Sequence, residues 1–134
     1  MRATGRRDTA PELALRSELH RSGLRYHVDR PVLRDRRRRA DVVFPRERIA
    51  VFVDGCFWHS CPVHKSIPMA NREWWTEKLA ANRRRDADTE DTLKCAGWLV
   101  VRVWEHEDPV KAAKRIRAHV VRRRFELGLR GRPR

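Results

Sequence analysis

The amino-acid sequence predicts an α/β domain in which helices flank a central mixed β-sheet. Three observations predict it: an early stretch with helical start and stop signals, two short β-branched runs joined by a tight link, and a second half that alternates polar helix, apolar strand and basic helix. At 134 residues the chain is long enough for one core and too short for a second independent one, so residues 1–134 are read as one domain with a basic helix and tail from about residue 108.

Residues 9–22 read as a helix, because Thr9-Ala10-Pro11-Glu12 has the pattern of a capping box, Leu15 and Leu19 mark a buried stripe, and Gly23 supplies the stop. A short extended piece at residues 24–28 follows, then Pro31 and the run Arg36, Arg37, Arg38, Arg39, which suits a solvated or phosphate-facing loop. Residues 40–44 and 49–53 are apolar and rich in β-branched side chains, with Pro45-Arg46-Glu47-Arg48 between them, so they predict a hairpin. If those four residues form the loop, 44 pairs with 49 and 41 with 52. Asp41 and Asp54 then share a face as diagonal neighbours, roughly 7 Å apart.

Residues 55–70 show no periodicity, and a loop of that length in a compact domain is usually functional, metal-stapled or disordered. Residues 71–96 read as a long polar helix ending before Gly97, and 98–104 as a buried or half-buried strand. Asp108-Pro109 gives an N-cap and a first-turn proline to a basic helix running to about Leu127.

The formal charge of +14 implies a polyanionic partner, and with no lipidation motif, signal peptide or apolar run of membrane-spanning length that partner is nucleic acid rather than a membrane. The charge is uneven: +7 over residues 1–40, −2 over 41–110 and +9 over 111–134. Such a distribution lets cationic ends neutralise phosphates while central carboxylates stay free for a divalent cation, although composition alone fits a solvated charged surface equally well. Three cysteines, Cys56, Cys61 and Cys95, suit a reducing cytoplasmic setting better than a disulfide framework.

Cys56 and Cys61, His64 after two intervening residues, and His106 just past the last strand have the residue types and the two-element spread of a structural zinc site. Cys95 is a rival fourth ligand, but its place near a helix end is more often that of a packed thiol. Asp41, inside an apolar run, either faces solvent or holds a cation; the basic flanks and Asp54 on the same face favour Mg²⁺. His59 falls outside the zinc set and is free to transfer protons, unless it is a surface histidine. Glu12 is explained without function by its capping position. Phe57 and Trp58, and the adjacent Trp74 and Trp75 at the start of the long helix, are core residues or wedges for a base stack. Neighbouring tryptophans diverge by about 100° on a helix, so both do not fit one buried stripe.

Taken together these residues resemble the very short patch repair (Vsr) family of DNA mismatch endonucleases. The resemblance rests on Met1-Arg2-Ala3 with Arg7-Asp8-Thr9-Ala10-Pro11-Glu12, on Ala40 to Phe44, on Val51 to His59 with its specific Gly-Cys-Phe-Trp-His string, on Trp75, Lys78, Asn82 and Arg85-Asp86, and on Gly97-Trp98 through Glu105. It covers nearly the whole chain to about residue 110. It implies a restriction-endonuclease-like fold and nicking of one DNA strand beside a T:G mismatch, with mismatch-repair proteins as further partners. By position, Asp41 matches the Mg²⁺-binding aspartate, His59 the catalytic histidine and Glu12 a supporting acid. Phe57, Trp58 and Trp75 match the DNA-wedging aromatics, Asp86 an acid of the central helix, and Cys56, Cys61, His64 and His106 the zinc positions. Asn82 and Arg85 lie in a matching stretch and are taken as DNA-facing.

The chain departs from the best-known member at Asp54, which replaces a histidine paired there with the amino-terminal glutamate. No counterpart of the familiar nuclease lysine stands out. The first residue is the first matching methionine, which leads us to expect that a longer DNA-clamping arm is missing. The resulting expectation is a monomeric Mg²⁺-dependent strand-nicking endonuclease with structural Zn²⁺. Asp41, with Asp54 or a backbone carbonyl, would hold the metal, and His59 would act as base or acid. The rival readings are a zinc-stapled DNA-binding module that cuts nothing and a restriction-type nuclease that cuts both strands of unmismatched DNA.

Overall fold

The computed structural model describes residues 9–32, 39–55 and 70–129. Its elements run in the expected order: α1 (Ala10–Arg21), β1 (His27–Pro31), β2 (Arg39–Phe44), β3 (Ile49–Asp54), α2 (Arg72–Cys95), β4 (Leu99–Trp104) and α3 (Pro109–Glu126). The four strands form one mixed sheet in chain order, β1 and β2 antiparallel, β2 and β3 antiparallel, β3 and β4 parallel. The parallel step requires a crossover, and α2 supplies it.

The hairpin register is the predicted one. Phe44 faces Ile49, Val43 faces Ala50 and Val42 faces Val51, so Asp41 comes opposite Phe52. Alternation along the strands then divides the side chains between two cores. Val42, Phe44, Ile49, Val51, Val101 and Val103 pack with Leu15 and Leu19 of α1 and with Ala112, Ala113, Ile116 and Val120 of α3. On the other face Val43 and Ala50 pack with Leu93 of α2, joined by Phe52, Trp98 and Val100.

A helix end accounts for the shift of β1 from its expected start. At the close of α1, Gly23 at φ +80° lets its own N–H reach the His20 carbonyl and the Leu24 N–H reach the Leu19 carbonyl. That 6→1 closure folds Leu24 back into the core, so the extended piece predicted from residue 24 begins as a strand only at His27. Gly97, at φ +90°, closes α2 in the same way against Lys94 and Leu93. At the start of α1 the predicted capping box is not built as expected: Thr9 is the N-cap residue, but its side chain makes no capping hydrogen bond. Asp108 does cap α3, accepting from the Val110 N–H.

A small gap of about 50 Å³ is lined by Pro11 and Leu15 of α1, Val53, Val103 and Trp104 at the ends of β3 and β4, and Pro109 of α3. Both helices therefore begin at the edge of the sheet where β3 and β4 end. That arrangement brings Glu12, in the first turn of α1, within electrostatic reach of Asp41.

Candidate active site

Asp41 lies in β2, where the recorded pairing with β3 stops at Val42 and Val51. Beyond that point the Val53 N–H donates to Asp41 Oδ2 at 2.7 Å, so the carboxylate sits between the parting strands instead of pointing into solvent. Burial pushes the Asp41 carboxyl up to about 7 from 3.8; the Val53 N–H opposes the rise, while the negative charges of Glu12, Asp54 and Asp29 add to it. Acids from α1, β1 and β3 thus act on Asp41 of β2 at the end of the sheet. Such a crowd favours either a proton or a cation at Asp41.

Glu12 is 8% exposed, and its carboxylate meets Arg16 Nη2 at 3.5 Å. Its negative charge opposes ionisation of Asp41, a role that the capping reading of the sequence left out. Asp54, 4% exposed, closes β3 on the same face as Asp41, as the hairpin register required. Arg102 Nη1 lies 3.1 and 3.0 Å from the two Asp54 carboxylate oxygens. The same guanidinium donates through Nε to Glu90 at 3.2 Å, through Nη2 to the Asp86 carbonyl at 3.3 Å, and lies 4.8 Å from the Phe52 ring centre. Burial works against the Arg102 charge, but Asp54, Asp86 and Glu90 outweigh it and raise its pKa.

Arg102 is the residue that the sequence reading missed. Its signal was present: a cation inside the apolar strand Leu99–Trp104 cannot be buried without a partner. The parallel register sets it opposite Phe52, two residue pairs from Asp54, and its bonds to Glu90 and the Asp86 carbonyl tie α2 to the sheet. Asp54 is therefore engaged in an ion pair with Arg102.

The remaining candidates divide. Asn82 is 5% exposed, and its Oδ1 accepts from Arg85 Nη1 at 2.9 Å; Arg85 itself is exposed. Trp74 is 54% exposed, with Lys78 Nζ 5.5 Å from its ring centre, and Trp75 is half-buried, meeting Trp74 edge-on at 4.7 Å. The pair does not form one buried stripe, as expected. Arg39 is exposed and bonds the Asp29 carboxylate and carbonyl at 3.4 and 3.0 Å. His106 is exposed and stacks on Trp104 with ring centres 6.5 Å apart. Cys95 is an exposed free thiol, not the packed one expected, because α2 turns Leu93 into the core and leaves its last residue outside. Arg36, Arg37, Arg38, Cys56, Phe57, Trp58, His59, Cys61 and His64 lie outside the described residues.

Among the described residues no three His, Cys, Asp or Glu side chains form a group able to cage a metal. Of the four expected zinc ligands only His106 is described. Mg²⁺ asks for less: it keeps several waters and is held by one or two carboxylates plus substrate phosphate oxygens. Asp41, with its charge disfavoured by neighbouring acids, fits such an ion. No described helix is long and apolar enough to cross a membrane.

A family model described as DNA mismatch endonuclease Vsr matches residues 1–65, the segment that carries Glu12, Asp41 and Asp54. The chain is 46% identical over 110 residues to a protein named Type II nicking enzyme V.NaeI from Lentzea aerocolonigenes, covering 81% of this chain and 66% of that relative. It is 40% identical over 103 residues to Type II nicking enzyme V.XorIIP from Xanthomonas oryzae pv. oryzae, covering 75% of this chain and 73% of the relative. To DNA mismatch endonuclease Vsr from Escherichia coli it is 39% identical over 107 residues, covering 78% and 66%. The chain thus spans roughly two thirds to three quarters of the length of these relatives.

Proposed function

Because the chain belongs to the Vsr family of DNA mismatch endonucleases, we propose that it nicks one strand of duplex DNA beside a T:G mismatch by Mg²⁺-dependent phosphodiester hydrolysis. The observation that carries the proposal is the acid cluster at the end of the sheet, where Asp41 is held by the Val53 N–H and opposed by Glu12, Asp54 and Asp29. Neutralising that cluster with a hard cation aligns it with phosphate chemistry.

Asp41, with a neighbouring backbone carbonyl, would hold the ion. When bound, Mg²⁺ supplies positive charge to the phosphate and lowers the pKa of a water. Asp41 must be ionised to do so, and its raised pKa keeps it partly protonated near neutrality until the ion arrives. Glu12 adds negative charge to the pocket. Asp54 stays with Arg102, which fixes the end of β3 and the outset of the segment that leads to His59. His59 would carry the proton transfer, as base toward water or as acid toward the leaving oxygen. Phe57, Trp58 and Trp75 would wedge against the mismatched step. Cys56, Cys61, His64 and His106 would bind a structural Zn²⁺ that shapes this segment.

The names of several relatives carry a second reading: Type II nicking enzyme names the cut without naming a mismatch. A nicking assay on otherwise identical duplexes separates the two. Nicks confined to the T:G duplex support the mismatch reading. Equal nicking of the fully paired duplex replaces it with a nicking enzyme indifferent to mismatch, and a linearised plasmid points to a double-strand nuclease.

A further inference from the structure

At the opposite end of the sheet from Asp41, the close of α1, the start of β1, the β2–β3 turn and the last part of α3 surround a cleft of about 950 Å³. Its walls carry His20, Arg25, His27, Arg46 and Arg124. Glu47, the acid in the same lining, is 4% exposed and taken up by Arg124 Nε at 2.7 Å, so it does not neutralise the cleft. The side chains of His20, Arg25, His27 and Arg46 are exposed and make no hydrogen bond or ion pair among the described residues. The frame behind them is fixed: Arg123 donates to the Glu47 and Gly97 carbonyls at 2.9 and 2.8 Å, and the Tyr26 hydroxyl donates to the Arg16 carbonyl at 2.9 Å.

We propose that this cleft is a second nucleic-acid site, which holds the sugar–phosphate backbone of a DNA segment other than the one at Asp41. Free guanidinium groups on a rigid concave wall offer the forked donors that phosphates accept, and such contacts fix position without reading sequence. An acidic protein segment fits less well. Protein interfaces are anchored by buried apolar or aromatic hot spots, whereas here Leu24 is buried in the core and the ring of Tyr26 packs edge-on against Phe44. The cleft is also remote from the acid cluster. β2 alone separates Asp41 from Pro45 by roughly 13 Å, and the cleft opens beyond Pro45. An enzyme with two such sites stays on DNA after a cut by holding a neighbouring segment.

The inference rests on the family's action on DNA but not on mismatch nicking, and it is read by binding without turnover. The probe is a short T:G duplex in molar excess over the chain, so that each site takes up its own copy. Its stoichiometry is measured at low salt by sedimentation for the full chain and for Arg25→Glu/Arg46→Glu, with Arg25→Ala/Arg46→Ala as the milder variant. Wild type binds two duplexes per chain, Arg25→Glu/Arg46→Glu binds one, and Arg25→Ala/Arg46→Ala binds the second more weakly, with the nicking rate on the short duplex unchanged in both variants. Exchanging two arginines lowers the log–log salt slope of second-site binding by about 2. Neither arginine side chain bonds another described residue, so the unfolding midpoint stays at the wild-type value and a folding defect is separable. One duplex per wild-type chain at low salt, or two still bound by Arg25→Glu/Arg46→Glu, overturns the proposal. It also fails if poly-glutamate, and no second duplex, is what the wild type binds and the variants lose.

Discussion

Replacing Asp41 by Asn in the metal-free protein tests the acid cluster without any turnover. The carboxyl sits at about 7 in the fold against 3.8 ordinarily. Between those values the native state binds more protons than the unfolded chain, so stability falls as pH rises through the window and levels off above it. A difference of about three pH units corresponds to roughly 4 kcal/mol. The Asn amide oxygen can still accept from the Val53 N–H, so the variant loses the charge and keeps the bond. Urea unfolding in chelator at intervals from pH 4 to 8 should give similar stabilities for the two proteins at the acid end. At pH 8 the Asn variant should be more stable by a few kcal/mol. Adding Mg²⁺ should reverse part of the wild-type loss and leave the variant unmoved. A wild-type protein that gains stability relative to the variant as pH rises would refute the reasoning, because it would mean that Asp41 is held charged by a cation of the fold rather than opposed by Glu12, Asp54 and Asp29.

Three further outcomes are expected. Arg102→Ala leaves Asp54 buried without its cation and should cost about 3–5 kcal/mol in denaturant unfolding, while Arg102→Met with Asp54→Asn should recover most of it. Leu19→Ala, which empties a fully buried position between α1 and the sheet, should lower stability by about 2–5 kcal/mol without changing DNA affinity per folded molecule. Metal analysis should find one zinc per chain, lost in His106→Ala and kept in Cys95→Ala; loss in Cys95→Ala instead would overturn the ligand set.

Much of the fold was legible because local signals agreed with one another. The four-residue link between two β-branched runs set the β2–β3 register, and that register alone put Asp41 and Asp54 on one face. Gly23, Gly97 and Asp108 each marked a helix end that the chain uses. What stayed hidden depends on partners distant in sequence. Arg102 finds Asp54 across 48 residues, a pairing visible only once β4 is known to lie parallel beside β3. Glu12 looks like half of a capping box until the packing of α1 brings it to Asp41. Leu24 has the character of a strand residue but closes a helix instead. Asn82 and Cys95 are decided by how α2 rolls against the sheet, since Leu79 and Leu93 take the buried stripe and carry Asn82 in and Cys95 out. For His59, Phe57 and Trp58 the resemblance to the family is the basis of the roles proposed.

The central claim is that Asp41 is the carboxylate on which strand cutting depends. The direct measurement compares wild type with Asp41→Ala on a duplex bearing a T:G mismatch, in Mg²⁺ and in chelator, with binding followed on the same samples. The account predicts nicking of one strand by wild type in Mg²⁺ alone, and no nicking by Asp41→Ala, which still binds the duplex with wild-type affinity. Undiminished nicking by Asp41→Ala, or a clean wild-type protein that binds the mismatch yet leaves both strands intact under every divalent cation, would contradict it.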